Sequence, residues 1–326
     1  MNTEEAATAL GEQERASAAS RNITDRVFEL VTLACAALVL AVLGAILLSL
    51  ILGSREALAK HGVGFLFKNE WDPISGSFGA LAPVYGTLVT SAIAIVIGVP
   101  LSFGIAMFIT ELSPRILSRP LMVAIELLAG IPSIIYGMWG LFVFAPLFGQ
   151  YVQPLLQDTL GRLPGIGLLF QGPPMGVGML TAGLILALMI TPFISAVMCE
   201  VFEVVPKALK ESAYAVGATT WEVMARIMVP QTKLGLVGGI MLGLGRALGE
   251  TMAVTLVIGN AFEISPSLFA PGNTISSVLA NEFAEADSSL YTSSLMALGL
   301  VLFLIAVLVL VAARLLLWRL RRKAAG

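Results

Sequence analysis

The chain has 326 residues, 57% of them hydrophobic and only 12% charged, with a formal net charge of −2 and a mean hydropathy of +0.92. Soluble domains carry about a quarter charged residues, so this composition excludes one and points to an integral membrane protein. Cys35 and Cys199 both fall within or at the edge of apolar runs, where cysteine is a small hydrophobe, and form neither a disulfide framework nor a Cys/His metal spacing.

Residues 1–27 are polar, rich in Ala, Glu and Ser, and lack the basic-then-apolar order of a signal peptide, which predicts a disordered tail. A bilayer core of about 30 Å needs about 20 apolar residues in a helix. Six segments qualify, roughly 30–52, 84–109, 121–148, 175–198, 234–258 and 291–313, which predicts an all-α fold with both termini on one side. Lys and Arg accumulate in short cytoplasmic segments. With the termini inside, the cytoplasmic parts hold fourteen basic residues, among them Arg115, Arg119, Lys207 and Lys210, while the outer loops hold four, Arg55, Lys60, Lys68 and Arg162. The reading is a multi-pass protein with cytoplasmic termini and a basic cytoplasmic tail at 316–326.

The outer loop at 53–83, with Trp71, Asp72, Pro73, Phe78 and Tyr85, looks the most structured, and His61, the sole histidine, lies there, so no His-based triad or zinc site can form in the membrane. Pro100, Pro132 and Pro192 interrupt spans two, three and four, and the fifth span carries Gly239/Gly243 and Gly245/Gly249 at small-xxx-small spacing. Close packing around a pathway and ordinary bundle packing both produce such a pattern. The hydroxyls Thr87, Thr90, Ser91, Thr251 and Thr255 would either meet a passing oxyanion or, as is usual in spanning helices, bond their own backbone carbonyls.

Between spans four and five lies a polar loop, 200–232, with helix signals. Pro206 suits a first turn and Gly217 a helix end, while Thr219 and Glu222 have capping-box spacing before Trp221, Met224, Ile227 and Met228 recur at helical intervals. The segment should be helix, tight turn, helix, either docking into another protein or lying on its own bundle.

Arg246 and Glu250 fall inside the fifth span, where an ionisable group costs at least about 2.5–3.5 kcal/mol and normally faces the bundle interior or a wet pathway. Their i,i+4 spacing predicts one helical face and a pair, which would serve an anion pathway or simply fix helix packing. Glu126 in the third span would pair with the basic segment Arg115 to Arg119 by snorkelling. The sequence has no G-x-x-x-x-G-K-[ST] phosphate loop and no nucleophile–base set, so any ATP that drives the protein would be bound by another chain.

The stretch Glu211-Ser212-Ala213, three residues, Gly217, nine residues, Ile227-Met228-Val229-Pro230 resembles the "EAA" motif of ABC importer permeases, E-A-A-x3-G-x9-I-x-L-P, departing at Ser212 and Val229. The segments "NEWDPISGSFGALAPVYGTLVTS", "ELLAGIPSIIYGMWGL" and "LGRALGETMAV" are similar to those of PstC-type subunits of bacterial phosphate-specific importers. The resemblance implies a type I ABC importer permease (MetI-like) fold in the bacterial inner membrane, with a first helix and outer loop at 28–83 and a permease core at 84–315. It implies that Glu211, Ser212, Ala213, Tyr214, Gly217, Ala218 and Thr219 form the helix that seats in the ATPase, and that Arg246 and Glu250 line the path. The partners implied are a PstA-like permease in a heterodimer, a PstB-like ATPase dimer that uses ATP and Mg, and a PstS-like phosphate-binding protein meeting loops 53–83, 149–174 and 259–290. The chain itself would bind no cofactor and no nucleic acid and catalyse no reaction. Permeases for sulfate or molybdate share the EAA loop, and an ion-coupled secondary transporter using Arg246, Glu250 and Glu126 is the other class to weigh.

Overall fold

The computed structural model describes residues 3–324. The chain divides into two compact units, Met1–Leu52 and Gly53–Gly326. The first unit is one helix, α1, which runs Thr3–Gly53. Where the sequence predicts a disordered tail, the structure carries helix from Thr3 onward; Ala, Glu and Arg, frequent there, are strong helix formers. Phe28, Leu38, Val39 and Leu40 of α1 stand exposed, as suits a helix facing lipid.

The second unit begins with α2 (Arg55–His61) and a small antiparallel hairpin, β1 (Trp71–Asp72) and β2 (Ser77–Phe78). It continues with α3 (Leu81–Met107), closed by a π-helical turn at Phe108–Leu112, and α4 (Arg115–Ala129). Next come α5 (Ser133–Trp139), α6 (Ala145–Leu147) and α7 (Gln153–Thr159), strung into one helical rod by two π turns. The rest comprises α8 (Met179–Glu203), α9 (Lys207–Ala215), α10 (Thr220–Val223), α11 (Val229–Leu248), α12 (Met252–Val257), α13 (Ile275–Glu282) and α14 (Ser289–Ala324).

Among the described residues, six helices are long and apolar enough to cross a membrane: Asp25–Gly53, Leu81–Leu112, Ser133–Arg162, Met179–Glu203, Thr220–Leu248 and Ser289–Arg319. Two depart from the expected positions. The predicted third span, 121–148, is broken at Gly130–Pro132, so that α4 ends at Ala129 and the spanning helix runs to Arg162, through residues expected in an outer loop. Pro132 has no N–H to donate and forces Ile131 away from helical geometry. Pro100 and Pro192, by contrast, do not interrupt their spans and sit inside continuous helices. The predicted fifth span, 234–258, also breaks, because α11 stops at Leu248 and α12 starts at Met252.

Helix α8 is the hub, the most deeply buried of the spanning helices. Lipid is as apolar as a leucine side chain, so close backbone approach rather than water exclusion holds such helices together. Glycines supply it. A Cβ on Gly235, Gly239 or Gly243 of α11 would sit 2.7, 3.0 or 2.4 Å from Val201, Val197 or Ile194 of α8, whereas Gly245 has open space beside it. On the other flank of α8, Gly183 receives Ile93 of α3, and the Ser102 hydroxyl donates to Thr191 O at 3.0 Å. A second core gathers Phe65, Phe78, Ile275, Tyr291 and Leu295. There Gly86 lets the backbone oxygen of Asn273 come within 2.0 Å of where a Cβ would stand.

Candidate functional site

The loop between α8 and α11 folds as its local signals require. α9 ends in a paired closure: Ala218 N–H donates to Ala213 O at 3.1 Å and Gly217 N–H to Tyr214 O at 3.0 Å. These two bonds form a Schellman motif, which needs a left-handed residue, and Gly217 supplies it at φ +87°. The next helix is capped reciprocally, with Glu222 N–H donating to Thr219 Oγ1 at 3.3 Å and Thr219 N–H to Glu222 Oε2 at 3.0 Å. Ala213 and Ala218 pack on the main core, and Val223, Met224 and Met228 are buried in it. Glu211, Ser212, Tyr214, Gly217 and Thr219 are exposed, and so are two bulky apolar groups, Val216 at 85% and Trp221 at 63%. A recess of about 310 Å³ lies beside the bend, between Val216, Gly217, Glu222 and Arg226. The seven residues singled out in the sequence therefore lie together on the second half of α9 and the firmly capped bend that follows it.

Arg246 and Glu250 are placed differently from the predicted pair. Arg246 is in the last turn of α11, and Glu250 lies beyond the helix end. The i,i+4 rule needs an unbroken helix, and Gly249 ends this one. The Glu250 carboxylate instead accepts the Ala253 N–H at 3.1 Å and so satisfies a free donor in the first turn of α12. Among the described residues Arg246 makes no ion pair; it is exposed, with its guanidinium 5.8 Å from the ring centroid of Phe193 in α8. Tyr136 of α5 is near enough to feel its charge. The helices that follow the two breaks pack closely, since a Cβ on Gly137 of α5 would stand 2.9 Å from Ala253 Cα of α12. Glu250→Gln keeps an oxygen for the Ala253 N–H and should leave the unfolding midpoint nearly unchanged, whereas Glu250→Ala should lose about 1 kcal/mol in thermal unfolding of the detergent-purified protein.

Glu126 is exposed on α4 and makes no ion pair among the described residues. The hydroxyls of Thr87, Thr90, Thr251 and Thr255 all donate to backbone carbonyls of their own neighbourhood, and Thr87 Oγ1 also accepts the Ile275 N–H of α13. Ser91 Oγ is buried without a hydrogen-bond partner.

In the hairpin, half-buried Trp71 stacks on Phe262 and packs edge-on to the fully buried Phe78. The Tyr85 hydroxyl is tied to Ser265 O. The Asp72 carboxyl is held below the usual carboxylate range by the Ser75 hydroxyl and then by the Ile74 N–H, and Ile74 at the tip is 98% exposed. One contact carried no sequence signal: Lys210 of α9 meets Glu111 at the end of α3.

Comparison with known proteins agrees with this architecture. Residues 98–322 match the family of binding-protein-dependent transport system inner membrane components. Phosphate transport system permease proteins PstC are similar across nearly the whole chain. That of Mesorhizobium japonicum is 58% identical over 297 residues, 91% of each chain, and that of Haemophilus influenzae 55% over 298 residues, 91% of this chain and 94% of that one. A probable PstC of Methanocaldococcus jannaschii is 39% identical over 275 residues, 81% of this chain and 86% of that one. Among solved structures, a chain of the bacterial alginate ABC transporter in complex with its alginate pentasaccharide-bound periplasmic protein shares the fold at TM-score 0.55 and 17% identity, covering 85% of this chain and 92% of that one. The inward-facing MetNI methionine ABC transporter gives TM-score 0.50 at 17% identity, covering 74% and 94%. With its six apolar helices, the chain is a multi-pass membrane protein of the ABC importer permease fold, and it belongs to the binding-protein-dependent transport system inner membrane components and, within them, to the PstC permeases.

Proposed function

We propose that this chain is a permease subunit of an ATP-driven inorganic phosphate importer, forming half of the translocation pathway and coupling it to a separate ATPase. The observation that carries the coupling role is the bend at Gly217, whose backbone is closed on both sides while Tyr214, Val216 and Trp221 remain uncovered. A rigid turn with exposed apolar groups suits docking into a cleft, since little ordering remains to oppose binding. The phosphate assignment is supported by the names of relatives 55–58% identical over nine tenths of the chain. The chain performs no covalent chemistry; ATP and Mg belong to the ATPase.

The bend and both termini face the cytoplasm in this reading, as the distribution of basic residues favours. A PstA-like permease completes the channel, a PstB-like ATPase dimer takes the bend, and a PstS-like binding protein delivers phosphate to the opposite face. Closure of the ATPases displaces the bend and opens the pathway outward, and hydrolysis returns it. Arg246 supplies a fixed cation beside the break that ends α11, and broken backbone at membrane depth is tolerated only where protein buries it or water reaches it. Glu250 contributes by holding the start of α12.

Paired helix breaks are also found in ion-coupled transporters, which makes the energy source the point to test. The assembled transporter in proteoliposomes should accumulate labelled phosphate only when ATP, the ATPase and the loaded binding protein are present. Accumulation driven by an ion gradient without the ATPase would overturn the reading, and accumulation of sulfate in place of phosphate would reassign the anion.

A further inference from the structure

Lys210 and Glu111 stand 99 residues apart in the chain, yet Lys210 Nζ donates to Glu111 Oε1 at 2.6 Å, with side chains only 18% and 9% exposed. The two other ion pairs among the described residues, Arg162–Asp158 and Arg226–Glu222, are i,i+4 contacts within single helical stretches. Such surface pairs contribute little. The Lys210–Glu111 pair instead crosses between two elements. Lys210 belongs to α9, directly before the exposed Glu211, and Glu111 belongs to the π turn that closes α3. π turns recur at functional positions. Arg119 and Glu203 line the adjoining recess, of about 220 Å³, without entering the pair.

α9 contains no buried residue, and of its side chains only Ala213 packs on the main core. Its firm side-chain tie to a spanning helix is therefore this charge pair. Buried pairs are poor sources of net stability, but removing one partner strands the other charge, so the two side chains move together. At its far end the tie reaches α3, which is locked to the hub α8 by the Ser102 hydroxyl on Thr191 O and by Gly98 against Ile190.

We infer that Lys210 and Glu111 are positioning residues that transmit displacement of the bend to α3, and through it to α8, so that the pair sets how much transport each ATP drives. This rests on the ATP-driven importer reading. The test uses the complete transporter in proteoliposomes, with ATP hydrolysed and labelled phosphate accumulated measured on the same preparation. Glu111→Gln and Lys210→Gln should each assemble and hydrolyse ATP, with phosphate carried per ATP lowered at least about fivefold, the lower range of typical coupling between sites. The charge-swapped double variant Glu111→Lys/Lys210→Glu should recover most of the native ratio, because the contact and not either charge alone matters. A native ratio in the single variants would overturn the inference. So would hydrolysis and transport falling together at constant ratio, the mark of a merely structural contact, or a swap that restores nothing. Should a neutral variant fail to assemble, Glu111→Asp, which keeps the charge and withdraws it from contact, is judged by the same readings. A native transporter that hydrolyses ATP without carrying phosphate would instead overturn the importer reading itself.

Discussion

Replacing Arg246 with Gln should leave the assembled transporter in the membrane at its normal level and remove most phosphate uptake. A hydrogen bond between a charged donor and an anion is worth about 1.5–3 kcal/mol, and about 1.4 kcal/mol is tenfold, so uptake should fall about 10- to 100-fold. Arg246→Lys keeps the positive charge and loses the planar fork, which places it between the two. The competing role for Arg246 is packing, through its contact with Phe193. Phe193→Leu removes that contact and leaves the cation in place, so it should retain most uptake. Equal losses in Arg246→Gln and Phe193→Leu would assign the arginine to packing, and normal uptake in Arg246→Gln would remove it from the pathway.

The second large effect is at Gly217. Proline there cannot reach φ +87° and has no N–H for Tyr214 O, so Gly217→Pro should abolish both ATPase retention on the purified membrane complex and ATP-dependent uptake. Alanine meets no atom within 4 Å and suffers only the left-handed backbone, about 1–2 kcal/mol. That corresponds to about 5–30 in the population of the native turn, and in coupling if the turn is what docks. Asparagine tolerates the left-handed region and should come close to native. A Gly217→Pro transporter that retains its ATPase and takes up phosphate normally would contradict the coupling role of the bend.

These two positions also show which parts of the molecule were legible in the sequence. The bend was, because Pro206, Gly217 and the Thr219/Glu222 box act on their immediate neighbours, and local chemistry decides such turns. The number of spanning helices followed from apolar length in the same direct way. Helix continuity did not, since Pro100, Pro132 and Pro192 look alike as letters, yet only Pro132, two residues after Gly130, breaks its helix. The rod from Ser133 to Arg162 outlasts the apolar run because its last turns carry Gln153, Gln157 and Asp158, which helices accept and hydropathy does not count. The Arg246–Glu250 pairing failed for a related reason: a spacing argument assumes the helix that Gly249 ends. Thr274 caps α13 through Ser277, where the usual signal has Glu or Gln. The Glu111–Lys210 contact joins two segments 99 residues apart and leaves no trace in local sequence.

Uptake of labelled phosphate, with sulfate in parallel, tests the central claim most directly when made in cells that lack this chain and its redundant phosphate importers, with the native chain restored or withheld. The account predicts that phosphate uptake alone is lost without the chain and returns with it. Phosphate uptake that continues unchanged without the chain would contradict it.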